Sequence, residues 1–226
     1  MQRLNIFNQV HKGLRAALYE TALLLQQANF TSANESDVAM ERIKEVLMLF
    51  EEHARKEDFY ILKAIVPYEP SVADAFEQEH IEDMELSAEL SDAVVAFESL
   101  LDNGEREAAG RKINELFAAF IAFNLKHMAK EELVINEILW RYFSDNEILQ
   151  IQNRIVASTQ PWHQDFFSKW MLRGINNAEA TSWLLAVERT APPIVYQTLF
   201  NKARQQFTNS RFQLLVESLK QNLVLN

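Results

Sequence analysis

Residues 116–138 read LFAAFIAFNLKHMAKEELVINEI, and this stretch decides the fold. It contains neither glycine nor proline. Leu116, Phe120, Phe123, His127, Glu131, Val134/Ile135 and Ile138 recur at three- and four-residue intervals, so they share one face of an α-helix. A histidine and a glutamate one turn apart sit in the middle of an otherwise apolar stripe. Burying such groups is costly unless something satisfies them.

The same arrangement occurs earlier in the chain. His53 and Glu57 follow Ile43, Val46 and Phe50 at helical spacing and precede Tyr60 and Ile61. Two further histidines stand on stripes of their own: His11 after Leu4 and Phe7 and before Leu14 and Leu18, and His80 between Phe76 and Met84. The order is His, then His-x-x-x-Glu, and then both again. Asp58 and Glu132, directly after the two glutamates, are read as solvated groups or as groups that orient imidazoles. Tyr60 and Met84 are read as packing residues near the histidines.

Working outward, four long helices are predicted, with turn chemistry between them. They run from about Asn5 to Ala28, Glu35 to Ala64, Ser71 to Leu101 and Glu105 to Tyr142. The links are Thr31-Ser32-Ala33-Asn34, Pro67-Tyr68-Glu69-Pro70 and Asp102-Asn103-Gly104. Links this short place consecutive helices antiparallel, in an up-down-up-down four-helix bundle. The outward and return legs then match. His11 and His53 lie roughly 26 and 29 Å from the first turn, and His80 and His127 about 32 and 33 Å from the third. All four histidines arrive at one end of the bundle, facing inward.

The whole composition agrees with an all-α fold. Among 226 residues there are only 4 glycines and 5 prolines, too few for the corners of a strand-and-turn protein. The chain has no cysteine, which excludes disulfides, thiolate zinc sites and iron–sulfur ligation. Four imidazoles and two carboxylates suit iron, manganese, zinc or copper by softness. Six protein ligands exceed what one tetrahedral zinc needs, and the repeated half-site points to two metals. A net charge of −10 is the wrong sign for a general nucleic-acid binder. No apolar run approaches the roughly 20 residues of a membrane span, and the N-terminus lacks the features of a signal peptide, so the expected location is cytoplasmic.

Past Ser144 the character changes. Residues 1–160 carry a net charge of −13 and residues 161–226 one of +3, with three of the four tryptophans. Residues 1–145 are therefore read as the bundle, and 146–226 as a helical C-terminal extension packed on it. His163, in Gln160-Pro161-Trp162-His163, has no glutamate one turn on and is assigned to the extension.

The order His11, His53-Ala-Arg-Lys-Glu57, His80, His127-Met-Ala-Lys-Glu131 resembles the hemerythrin-like (HHE cation-binding) family over about residues 5–142. That resemblance implies a four-helix bundle around a non-haem di-iron site, a pair of Fe ions open to oxo or hydroxo bridging. His11, His53, His80 and His127 would then be ligands, and Glu57 and Glu131 bridges. The oxygen carriers of that family place a second histidine one turn after the one on the third helix, where this chain has Met84. The likeness is to the four-histidine, two-glutamate branch, which includes proteins linked to nitric oxide and to repair of iron centres. It implies interaction with O₂, NO or peroxide, in sensing, storage, detoxification or repair. The alternative is a regulatory or partner-binding helical module with a structural metal such as zinc. No feature specifies an enzyme substrate, and no protein partner is indicated.

Overall fold

The computed structural model describes residues 3–224, and every regular element among them is helical. Helix α1 spans Asn8–Gln27. It has no side-chain cap of its own. Instead Asn5 Oδ1 accepts hydrogen bonds from the backbone N–H groups of Phe7 and Asn8, at 3.0 and 3.1 Å. The second predicted helix is α2, Ala33–Lys56, which passes into a π-helical turn at Glu57–Leu62 and ends in the single turn α3, Lys63–Ile65. No proline or glycine announces that π-turn. Helix α4, Pro70–Glu98, starts on a proline whose missing N–H would have had no partner in the first turn. Helix α5, Asn103–Tyr142, is capped by Asp102, which accepts from the Glu105 N–H at 3.0 Å. Helix α6, Asp145–Ser158, begins with a capping box between Ser144 and Glu147.

Cross-helix contacts fix the directions. Along α4 and α5, Glu79 meets Lys130, Asp83 meets Asn124 and Glu89 meets Lys112, so one number rises as the other falls. Along α2 and α4, Lys44 pairs with Glu98 and Asp58 with His80. Asn5 and Leu25 face Asn136 and Asn114 of α5. The expected up-down-up-down arrangement is what these pairs describe.

Contacts divide the chain into two units, one of residues 1–8 and 17–159 and one of 9–16 and 160–226. The first unit holds two apolar regions along its axis. One contains Phe7, Ile61, Leu62, Ile65, Phe76, Ile135 and Leu139. Met40, Ile43, Leu90, Val94, Ile113 and Phe117 are buried on the stretches of α2, α4 and α5 nearer the other end, and Phe50 and Phe120 meet edge to face at 5.2 Å. Between them, by position on α2, α4 and α5, lie Glu57, His80, His127 and Glu131.

The second unit is helical as well: α7 Pro161–Gly174, α8 Asn177–Thr190, α9 Pro193–Gln206 and α10 Asn209–Val224. Its core is Leu172, Ala180, Leu184, Leu199, Ala203, Phe207 and Leu215. Residues 9–16 of α1 belong to it. A Cβ at Gly13 would stand 2.7 Å from the Met171 backbone nitrogen, so only glycine allows that approach. Among the described residues no helix is long and apolar enough to cross a membrane.

Candidate metal centre

All six predicted donors are buried: His11 0%, His53 7%, Glu57 2%, His80 3%, His127 5% and Glu131 0% exposed. They fall into two groups whose donor atoms lie within 4.8 Å of one another. One is His11, His53, Glu57 and Glu131; the other is Glu57, His80, His127 and Glu131. The two carboxylates are common to both groups.

The contacts within the layer are close but few of them are hydrogen bonds. Glu57 presents Oε1 to His53 Nε2 at 3.1 Å and Oε2 to His80 Nε2 at 3.6 Å. Glu131 Oε1 stands 3.3 Å from His127 Nε2 and 3.8 Å from His80 Nε2. Nε2 of His80 and Nε2 of His127 are buried and make no hydrogen bond. Leaving buried polar atoms in that state costs free energy. Nitrogen and oxygen donors converging in this way, without sulfur, fit a pair of metal ions.

Charges account for the protonation of the metal-free site. Burial opposes a charge on His80, but the carboxylates of Asp58, Glu131 and Glu57 outweigh it and push its pKa up to about 12. His127 is also raised: burial works against its charge, and Glu131, Glu57 and Glu79 overcome it. A metal ion could take these nitrogens only by displacing such a proton.

The outer nitrogens of these two rings are held as well. Asp58 Oδ1 lies 2.6 Å from His80 Nδ1, and Glu79 Oε2 lies 2.8 Å from His127 Nδ1. Asp58, read from the sequence as a solvated group or one that orients an imidazole, contacts the His80 ring from the start of the π-turn at Glu57–Leu62. Such turns are frequent at functional sites.

Three residues of this region escape a pattern reading. Glu79 is masked as one of many glutamates on a charged helix. Asp83 and Asn124 form a buried pair, Asn124 Nδ2 donating to Asp83 Oδ1 at 2.6 Å and to the Phe120 carbonyl at 3.2 Å. Burial raises the pKa of the Asp83 carboxyl. The signal was available in the period: the buried face of α4 runs Ala73, Phe76, His80, Asp83, Leu90, Val94, Phe97, in steps of three, four or, once, seven residues. The same stripe corrects an expectation. Met84 was placed beside His80, but it is 56% exposed, because the face advances from His80 by three residues and not by four. Tyr60 is a packing residue against the Phe7–Ile61 cluster. His163 belongs to neither donor group.

A model of the hemerythrin HHE cation binding domain matches residues 3–139, more than half of the chain. This chain belongs to that family. It is also similar to an F-box/LRR-repeat protein 5 from Xenopus tropicalis, 23% identical over 155 residues. The aligned part is 68% of this chain and 22% of that relative, so the chain spans about a fifth of the relative's length. No solved structure matches the chain. The hemerythrin HHE match covers every one of the six candidate donors.

Proposed function

We propose that this hemerythrin HHE domain holds two non-haem irons, with His11, His53, His80 and His127 as terminal ligands and Glu57 and Glu131 as bridges, and that the centre interacts with O₂, NO or peroxide. The observation that carries this reading is the sharing of two buried carboxylates by two four-residue donor groups. A single tetrahedral zinc would leave donors of this layer unused. Bound iron would supply one-electron redox chemistry and affinity for small ligands.

The chain's own residues contribute the surroundings. The buried Phe76 ring meets the His127 ring at 5.8 Å between centroids. Phe123 stacks on the His127 ring, with centroids 5.9 Å apart and planes 11° from parallel. The test is elemental analysis of untagged protein expressed in iron-replete medium. About two irons per chain are expected, with absorption changes on exposure to O₂ or NO. One zinc per chain, or no metal, would replace this reading with that of a structural or partner-binding module.

A further inference from the structure

Two carboxylates outside the donor groups are placed in a manner the ligand set does not require. Asp58 directly follows Glu57 in the chain, yet it contacts His80 of α4. Glu79 directly precedes His80, yet it contacts His127 of α5. Its other oxygen, Oε1, accepts from the Lys130 ammonium, which lies 4.6 Å from the centroid of the Phe76 ring. A residue of the π-turn thus contacts a ring on α4, and a residue of α4 contacts a ring on α5.

An imidazole on a flexible side chain can present either nitrogen, and its neutral form has two tautomers. A carboxylate at Nδ1 selects the tautomer with the proton on Nδ1 and the lone pair on Nε2, and it fixes the plane of the ring. At both histidines the nitrogen left over is buried, makes no hydrogen bond, and stands within 3.8 Å of a carboxylate oxygen of Glu57 or Glu131. Lys130 holds Glu79 from the far side, so Glu79 is itself oriented.

Resting on the reading of this layer as a two-metal centre, we propose that Asp58 and Glu79, the latter anchored by Lys130, are positioning residues that preform the half of the centre built from Glu57, His80, His127 and Glu131. They do not touch the metal. They determine that His80 and His127 meet it through Nε2, in fixed planes, so that little ordering remains when the ion binds.

The test uses the full chain, stripped of metal and titrated anaerobically with Fe(II), in wild type and in Asp58→Asn, Glu79→Gln and Lys130→Met. These changes are near-isosteric at partly exposed side chains, and far-UV circular dichroism checks that each variant folds. In Asp58→Asn and Glu79→Gln one of the two binding steps should weaken about 10–100-fold, with two ions still bound at saturation. Lys130→Met should shift the same step by less. A second readout separates orientation from general stability. In the Co(II)-loaded protein, the Nδ1–H resonances of His80 and His127 should exchange slowly with solvent. Asp58→Asn should speed exchange at His80 alone, and Glu79→Gln at His127 alone. Glu82→Gln, at an exposed carboxylate of the same helix, should change neither readout. Variants that titrate like wild type, or unchanged exchange at both rings, would overturn the proposal. If wild type takes up neither Fe(II) nor Co(II), the two-metal reading itself falls. Failure confined to the variants removes only the positioning role.

Discussion

The bundle buries two polar layers about one turn apart, and they are finished differently. Asp83 and Asn124 are 4% and 1% exposed, and they satisfy each other: the amide donates to the carboxylate and to a backbone carbonyl. His80 and His127 are buried to the same degree, three residues away on the same two helices, yet each keeps an Nε2 that makes no hydrogen bond. Equal burial therefore does not mean equal completion. One layer is closed by the chain, and the other faces carboxylate oxygens across distances that suit a shared ion better than a direct bond.

The largest expected effect breaks the open layer at its shared groups. Glu57→Ala or Glu131→Ala removes a donor from both groups at once, and should leave the purified protein without metal by elemental analysis. The stabilisation that metal gives the wild type, about 2.7 kcal/mol at a hundredfold excess of free metal over Kd, should vanish from the variant's thermal melts. Full metal content in both variants would defeat the bridging assignment.

Breaking the closed layer should act on stability and not on metal. Asn124→Ala takes away the amide that faces Asp83 in a buried setting, with an expected cost of about 1–3 kcal/mol in denaturant unfolding. Its metal content should equal that of wild type. A loss of metal in this variant would show that the two layers are one functional unit.

The third effect concerns pH. His80, raised to about 12, and His127, also raised, carry protons in the metal-free fold. A raised histidine stabilises the fold fully below its unfolded pKa of about 6.5, and that contribution is lost as pH rises through the folded value. The metal-free protein should therefore melt at lower temperature as pH climbs above about 6.5. Metal affinity should move the other way, by about tenfold per pH unit for each proton displaced. Asp83, raised by burial, acts in the same direction from lower pH: its carboxyl favours the fold in the acid range and loses that effect as it ionises, so Asp83→Asn should flatten the slope of stability in melts taken from about pH 4 upward. Parallel melts and Fe(II) titrations between pH 6 and 9 would check both directions. The smallest effect is expected at Met84. Met84→Ala lies outside both layers, and should leave metal content unchanged and stability within about 0.5 kcal/mol.

Much of this could be read directly from the chain. Four long apolar periods, broken at Pro67–Pro70 and at Asp102–Gly104, announce the bundle, although α4 starts on Pro70 and α5 at Asn103, inside those breaks. The pairing of His53 with Glu57 and of His127 with Glu131 follows from helix geometry alone, since residues four apart share a face. The convergence of the four histidines follows from equal leg lengths between short turns. These features were legible because each depends only on local backbone geometry and on counting residues.

Other features depend on how each helix is rotated about its own axis, which packing decides. One residue of rotation separates Asp83, which is buried, from Met84, which is exposed; both lie about one turn beyond His80, and sequence spacing alone favours neither. The π-turn at Glu57, the reach of Asp58 to His80 and the choice of Glu79 among many glutamates to hold His127 are likewise cross-helix outcomes. The sequence by itself determined which donors exist and at what depth they lie. The tertiary structure alone decided which neighbours orient them, because the partner of a side chain on another helix depends on rotation and close packing that no single-helix periodicity contains.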